Sequence, residues 1–80
     1  MKVHVKLYAT LREYAPHNLG IGQSFPVELK EGSISELTAV LGFKIEQAKI
    51  IMVNGERVTD LGQVLKDGDL VVIFPPVGGG

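Results

Sequence analysis

The stretch with the plainest chemical potential is Phe74-Pro75-Pro76-Val77-Gly78-Gly79-Gly80. Pro75 and Pro76 each fix φ and cannot extend a strand ladder, so with Val77 they form a stiff exit from whatever precedes them. Gly78, Gly79 and Gly80 have no Cβ and together reach about 10 Å when extended. Such an arm, flexible when the protein is alone, can enter a narrow active-site tunnel on another protein and present an unhindered carboxylate on Gly80. A carboxylate becomes an acyl donor only after activation. Attack of its oxygen on the α-phosphate of ATP gives an acyl-adenylate, and the next nucleophile decides the product. An amine yields an amide. Sulfide or a persulfide yields a thiocarboxylate, a soft nucleophile that can deliver sulfur to a carbon centre.

Other chemistries find little support in the inventory. The chain has no cysteine, and its two histidines, His4 and His17, lie at no metal-ligand spacing; both read as surface or rim residues. No metal site is expected. Ser24, Ser33 and Ser35 sit in no nucleophile motif. A formal net charge of −1 argues against a nucleic-acid partner, which would call for a basic patch. No apolar run approaches the length of a membrane span, and the start MKVHVKLYATLREY interleaves charges where a secretory signal would be apolar. The expectation is a soluble cytoplasmic protein with no catalytic side chains of its own.

The elements that must position this tail follow from periodicity. Residues 2–8 alternate, with Val3, Val5 and Leu7 on one face and Lys2, His4, Lys6 and Tyr8 on the other, the period of a half-buried strand. ATLREYA has room for about one helical turn before Pro16, and HNLGIGQS reads as a loop. FPVELK is a second strand, held to an edge by Pro26. Ser33-Ile-Ser-Glu36 reads as a capping box, with Glu36 reaching back to the cap. Ile34, Leu37 and Leu41 then form the apolar stripe of a helix that stops at Gly42. Phe43 to Lys49 is either a short helical turn or an extended link. Ile50 to Val53 reads as a central strand, Asn54-Gly55 as a type I′ hairpin, and Glu56-Arg57-Val58 as its short return. Residues 60–65 suggest a tight helical turn, Asp67-Gly68-Asp69 a second turn, and Leu70 to Phe74 the last strand.

Two strands, one helix and two or three further strands predict an α+β ubiquitin-like β-grasp. Its mixed sheet would have four to five strands, with one main helix across it and the first and last strands parallel at the centre. Residues 1–77 would form the domain and 78–80 the flexible tail. If Val71 and Ile73 face the helix, then Leu70, Val72 and Phe74 face away beside His4, Lys6 and Tyr8. Tyr8 and Phe74 would then meet on an uncovered face that runs into Pro75, Pro76 and Val77, the kind of apolar patch that marks a partner surface. Arg12, Arg57 and Lys66 are charged residues around this patch, read singly as solvated surface.

LYATLREYA, VNGERV and above all LKDGDLVVIFPPVGGG, with their spacing, resemble the small sulfur-carrier subunit of molybdopterin synthase, the MoaD family. The resemblance covers nearly the whole chain and is most specific in the C-terminal block. It implies that Gly80 is adenylated by a ubiquitin-activating-type adenylyltransferase using ATP, with no cofactor bound by the carrier itself, and is then thiocarboxylated. The tail, with Gly78 and Gly79, would enter the large catalytic subunit of molybdopterin synthase and donate sulfur to cyclic pyranopterin monophosphate. Tyr8 and Phe74 match the family's apolar partner surface, and Pro75, Pro76 and Val77 continue it. Arg57 falls at a third such position, which is hydrophobic in some members. Arg12 matches the LRE element, with an interface role. Gly78 stands where many molybdopterin carriers have Thr or Ser. A triple glycine is common in the ThiS carriers of thiamin thiazole synthesis, which are usually shorter and lack the LRE element and the Pro-Pro pair. Thiazole synthesis, another thiolation pathway and a ubiquitin-like protein modifier are the alternatives.

Overall fold

The computed structural model describes residues 1–76. Five strands form one mixed sheet: β1 (Lys2–Leu7), β2 (Phe25–Glu28), β3 (Ile50–Val53), β4 (Glu56–Arg57) and β5 (Leu70–Phe74), in the order β2-β1-β5-β3-β4. β1 and β5 run parallel, with Val5 opposite Val71 and Leu7 opposite Ile73, and the remaining pairs are antiparallel. The expected β-grasp is therefore present in its five-stranded form.

One helix, α1 (Ile34–Leu41), covers one face of the sheet. Ile34 and Leu37 are fully buried among Val3, Val5, Val71 and Ile73, each contributing about 1.5–3 kcal/mol. The helix starts where Ser33 Oγ accepts the Glu36 N–H at 3.0 Å. It ends at Gly42, whose φ of +100° is the left-handed conformation that lets the Gly42 and Phe43 N–H groups both reach the Thr38 carbonyl.

Glu36 differs from the expected capping box. Its carboxylate passes the cap and accepts the N–H groups of Lys30 (2.6 Å), Glu31 (2.9 Å) and Gly32 (2.8 Å). It thus organises the whole β2–α1 turn, because three consecutive N–H groups there converge on one point.

The expected helical turn over residues 60–65 is also corrected. The Gln63 N–H donates to the Asp60 carbonyl (3.0 Å) and the Gly62 N–H to Asp60 Oδ1 (2.9 Å), which closes a single turn. The chain then extends, so that Val64 bridges Ser33 and the buried Leu65 donates its N–H to the Gly32 carbonyl at 2.7 Å. Two short 3₁₀ segments, Ala9–Tyr14 and Ile45–Gln47, occupy the stretches after β1 and before β3. The first is longer than the single turn its sequence suggested.

Asn54 and Gly55, with φ of +52° and +85°, make the β3–β4 hairpin as expected of a type I′ turn. Asn54 also ties that hairpin to the turn before β5. Its Nδ2 donates to Asp69 Oδ1 (2.8 Å), its Oδ1 accepts the Leu70 N–H (2.9 Å), and Asp69 Oδ2 accepts the Lys66 N–H (2.8 Å). The Lys2 N–H donates to Asp67 Oδ1 at 2.7 Å on the other side of the same turn. These contacts set the register at which β5 enters the sheet, and hence where it leaves.

Candidate functional site

The sheet face opposite α1 is formed by the strand side chains that alternate with the core residues. The β1 and β5 registers place His4 beside Leu70 and Lys6 beside Val72 on it. β3 adds Ile50 beside Phe74 and Met52 beside Val72, and β4 adds Arg57 beside Met52. Val72, Phe74, Ile50 and Met52 are all half-buried, so the face has an apolar centre in partial contact with solvent.

Tyr8 and Phe74 meet at one end of this face. Their rings stack with centroids 4.9 Å apart and planes inclined by 13°, an offset geometry worth about 0.5–1.5 kcal/mol beyond area burial. Each ring is held by its backbone: the Tyr8 N–H donates to the Ile73 carbonyl (3.2 Å), and the Lys49 N–H donates to the Phe74 carbonyl (2.9 Å). Ala9, at φ +53°, then turns the chain off the sheet directly after Tyr8. Pro75 is half-buried and Pro76 exposed as β5 leaves the sheet beside the stack. The expected meeting of Tyr8 and Phe74 is observed. Val77, Gly78, Gly79 and Gly80 lie outside the described residues.

The two arginines singled out in the sequence fall in different places. Arg57 belongs to the open face, in the row that runs Lys6, Val72, Met52, Arg57 across four strands. Arg12 is exposed in the first 3₁₀ segment, and its Nη2 donates to the Leu19 carbonyl at 3.5 Å. It lines a shallow cleft of about 250 Å³ with Leu7, His17, Leu19, Gln23 and Phe25. Lys66 backs the Asp69 turn through its own N–H.

Two contributors to the open face escaped the sequence reading. Ile50 and Met52 belong to the run that reads as a central strand, and that strand sends Ile51 and Val53 to the core and Ile50 and Met52 to the open face. Ile21 is 77% exposed, and its neighbour Gly22 lies so close to Tyr8 that a Cβ there would sit 3.7 Å from the Tyr8 hydroxyl. The loop is thereby brought against the aromatic stack, a long-range proximity that no local spacing encodes.

Chemically, this face offers half-buried aliphatic side chains beside a stacked aromatic pair. No group of three His, Cys, Asp or Glu side chains suited to a metal occurs among the described residues. No helix among them is long and apolar enough to cross a membrane.

Residues 5–80 match the ThiS family. The chain belongs to that family. No curated protein matches it. Among solved structures, the protein described as molybdopterin converting factor subunit 1 from Pyrococcus furiosus is 33% identical, with 95% of this chain and 98% of that chain covered and a TM-score of 0.66. Small archaeal modifier protein 1 from Methanosarcina acetivorans is 27% identical over 99% of this chain and 96% of that one, with a TM-score of 0.60. The complex of subunits 1 and 2 of molybdopterin-converting factor from Helicobacter pylori contains a chain 24% identical, covered in full on both sides, with a TM-score of 0.61; that likeness is one of fold. The ThiS-family chain is thus a ubiquitin-like domain of the sulfur-carrier group, in agreement with the resemblance carried by its C-terminal block.

Proposed function

We propose that this ThiS-family chain is a sulfur carrier for molybdopterin biosynthesis, acting in the cytoplasm as the small, non-catalytic subunit of molybdopterin synthase. The carrier binds no cofactor. An adenylyltransferase of the ubiquitin-activating type consumes ATP to convert the Gly80 carboxylate to an acyl-adenylate, with pyrophosphate leaving. Hydrosulfide then displaces AMP to form the thiocarboxylate; a persulfide does so through an acyl disulfide, which a thiol cleaves to the thiocarboxylate and a second disulfide. The large catalytic subunit receives the tail through Gly78 and Gly79 while Tyr8, Phe74, Pro75, Pro76 and Val77 dock on its surface, with Arg57 and Arg12 at the rim.

The observation that carries this reading is the continuity of the Tyr8–Phe74 stack with the exit of β5. The stack lies on an open apolar face, and the strand holding Phe74 runs straight into Pro75 and Pro76. A partner gripping that face receives whatever chain follows. The Pyrococcus furiosus likeness supports the pterin pathway over the thiazole one, and the Helicobacter pylori complex supports a large-subunit partner. The likeness to a small archaeal modifier protein favours a second reading, in which an amine takes the activated acyl group and Gly80 becomes joined to lysines.

Mass spectrometry after incubation with ATP, the cognate activating enzyme and a sulfur source tests the carrier. One oxygen-for-sulfur exchange, about +16 Da, is expected at the C-terminus. Addition of the large subunit and cyclic pyranopterin monophosphate should then return the carboxylate and form the dithiolene. A ladder of conjugates in place of the exchange would favour the modifier, and an unaltered mass would overturn both.

A further inference from the structure

The open face is apolar at its centre and cationic at both ends. In the row Lys6, Val72, Met52, Arg57, the two charged residues stand on either side of two half-buried apolar ones. Three inter-strand steps separate Lys6 from Arg57, about 14 Å across the sheet. Among the strand residues of this face the single carboxylate is Glu28, which lies on β2 opposite Lys2, away from that row. The face therefore has a positive frame although the chain as a whole carries a formal charge of −1.

This arrangement disfavours a second copy as the occupant. A two-fold interface is self-complementary, so packing this face on itself would bring Lys6 of one copy toward Arg57 of the other and set like charges together. We infer that the occupant is a different protein, presenting an apolar contact bracketed by two carboxylates about 14 Å apart, which meet Lys6 and Arg57. The inference deepens the carrier reading, on which it rests only in taking this face as the docking face. The apolar centre supplies affinity, and the charges set register and approach rate, because rim charges act mainly on association and its salt dependence. A carboxylate-bracketed partner is attracted in the register that lets the β5 exit point into it, whereas a basic or uniformly apolar surface is not held there.

Extended peptides advance about 3.4 Å per residue, so side chains four residues apart span the same 14 Å. The test uses blocked peptides Glu-Val-Phe-Val-Glu, Lys-Val-Phe-Val-Lys and Gln-Val-Phe-Val-Gln, titrated into the full chain and followed by amide NMR shifts. At 50 mM NaCl the acidic peptide should bind about tenfold more tightly than the basic one, as two surface ion pairs against two repulsions would give. Shifts should centre on Lys6, Met52, Val72 and Arg57, and the preference should shrink at 500 mM NaCl. The Lys6→Glu/Arg57→Glu double variant, whose fold the same spectra verify, should reverse the preference. Equal affinities, shifts confined to another surface, an unchanged preference in the double variant, or self-association through this face that strengthens at low salt would each overturn the inference. Thiocarboxylation is read separately by mass, so a chain that takes sulfur without the acidic preference loses only this inference. One that shows the preference but takes no sulfur loses the carrier reading instead.

Discussion

Glu36 accepts three backbone N–H groups at the start of α1, where the helix dipole also favours negative charge. The Lys30 N–H, followed by those of Gly32 and Glu31, holds its carboxyl below the ordinary glutamate range, against a desolvation effect of opposite sign. A depressed folded pKa means that the contribution is present above the unfolded value, near 4.3, and is lost as pH falls through the folded one. Wild type should therefore melt above Glu36→Gln at pH 7, and the gap between their melting temperatures should close on acidification below about pH 4. A gap that stays constant down to pH 2.5 would remove the charge from the account. Phe74 carries a different kind of prediction, because its ring contributes to both fold and surface. Phe74→Ala should cost about 1–2 kcal/mol in chemical denaturation, from the lost stack and partial burial. It should cost more than 2 kcal/mol in calorimetric binding to the large subunit, as a central aromatic anchor does. Equal affinity for the variant would take Phe74 out of the interface.

Between elements, the contacts that matter most are those joining the β3–β4 hairpin to the turn before β5. Asn54 does two jobs there, taking a positive φ and bridging to Asp69 and Leu70. Asn54→Gly keeps the backbone conformation and loses the bridge; Asn54→Ala loses both. The alanine variant should fall about 2–3 kcal/mol below wild type, and the glycine variant should recover about 1 kcal/mol of that. Thermal melts of the pair separate the two jobs, since 1 kcal/mol moves a domain of this size by about 4–8 °C. Equal melting of both variants would show that the left-handed turn is unstrained for alanine. The same region marks the limit of what local pattern reveals. Strict alternation in β1 and the NG dipeptide made the strands, the hairpin and the central parallel pair legible. Residues 60–65 suggest a helical turn that the structure does not form. Asp60 and Gly62 instead favour a tight turn, and Leu65 is drawn into the core by the Gly32 carbonyl more than thirty positions away in sequence. The reach of Glu36 past its cap depends on the conformation of the Lys30 to Gly32 turn, which the capping pattern alone does not encode.

Across the whole molecule, the first and last strands lie side by side, and β5 has β1 on one flank and β3 on the other. A strand paired on both flanks is thus the one that ends in the candidate docking residue and leads to the tail. Force or partner contact at the exit is borne by the ladders of two neighbours, so the domain can present Pro75 and Pro76 without loosening. Among the described residues, the Phe74 carbonyl is held at the strand end by the Lys49 N–H. The division of labour between body and tail then makes a prediction that a purely structural C-terminus would fail. Deletion of Gly80, or Gly79→Leu, should abolish sulfur transfer, the first by removing the acyl group in its required place and the second by adding a branched side chain where the partner's tunnel must close on backbone. Both changes should leave the melting temperature within about 2 °C of wild type, less than half a kcal/mol for a domain of this size. Calorimetric melting and C-terminal mass analysis on the same samples make the comparison. A drop of several degrees on either change would mean that the last residues pack into the fold. Retained transfer in the Gly79→Leu variant would mean that no narrow tunnel reads the tail, and the case for a side-chain-free arm would fall with it.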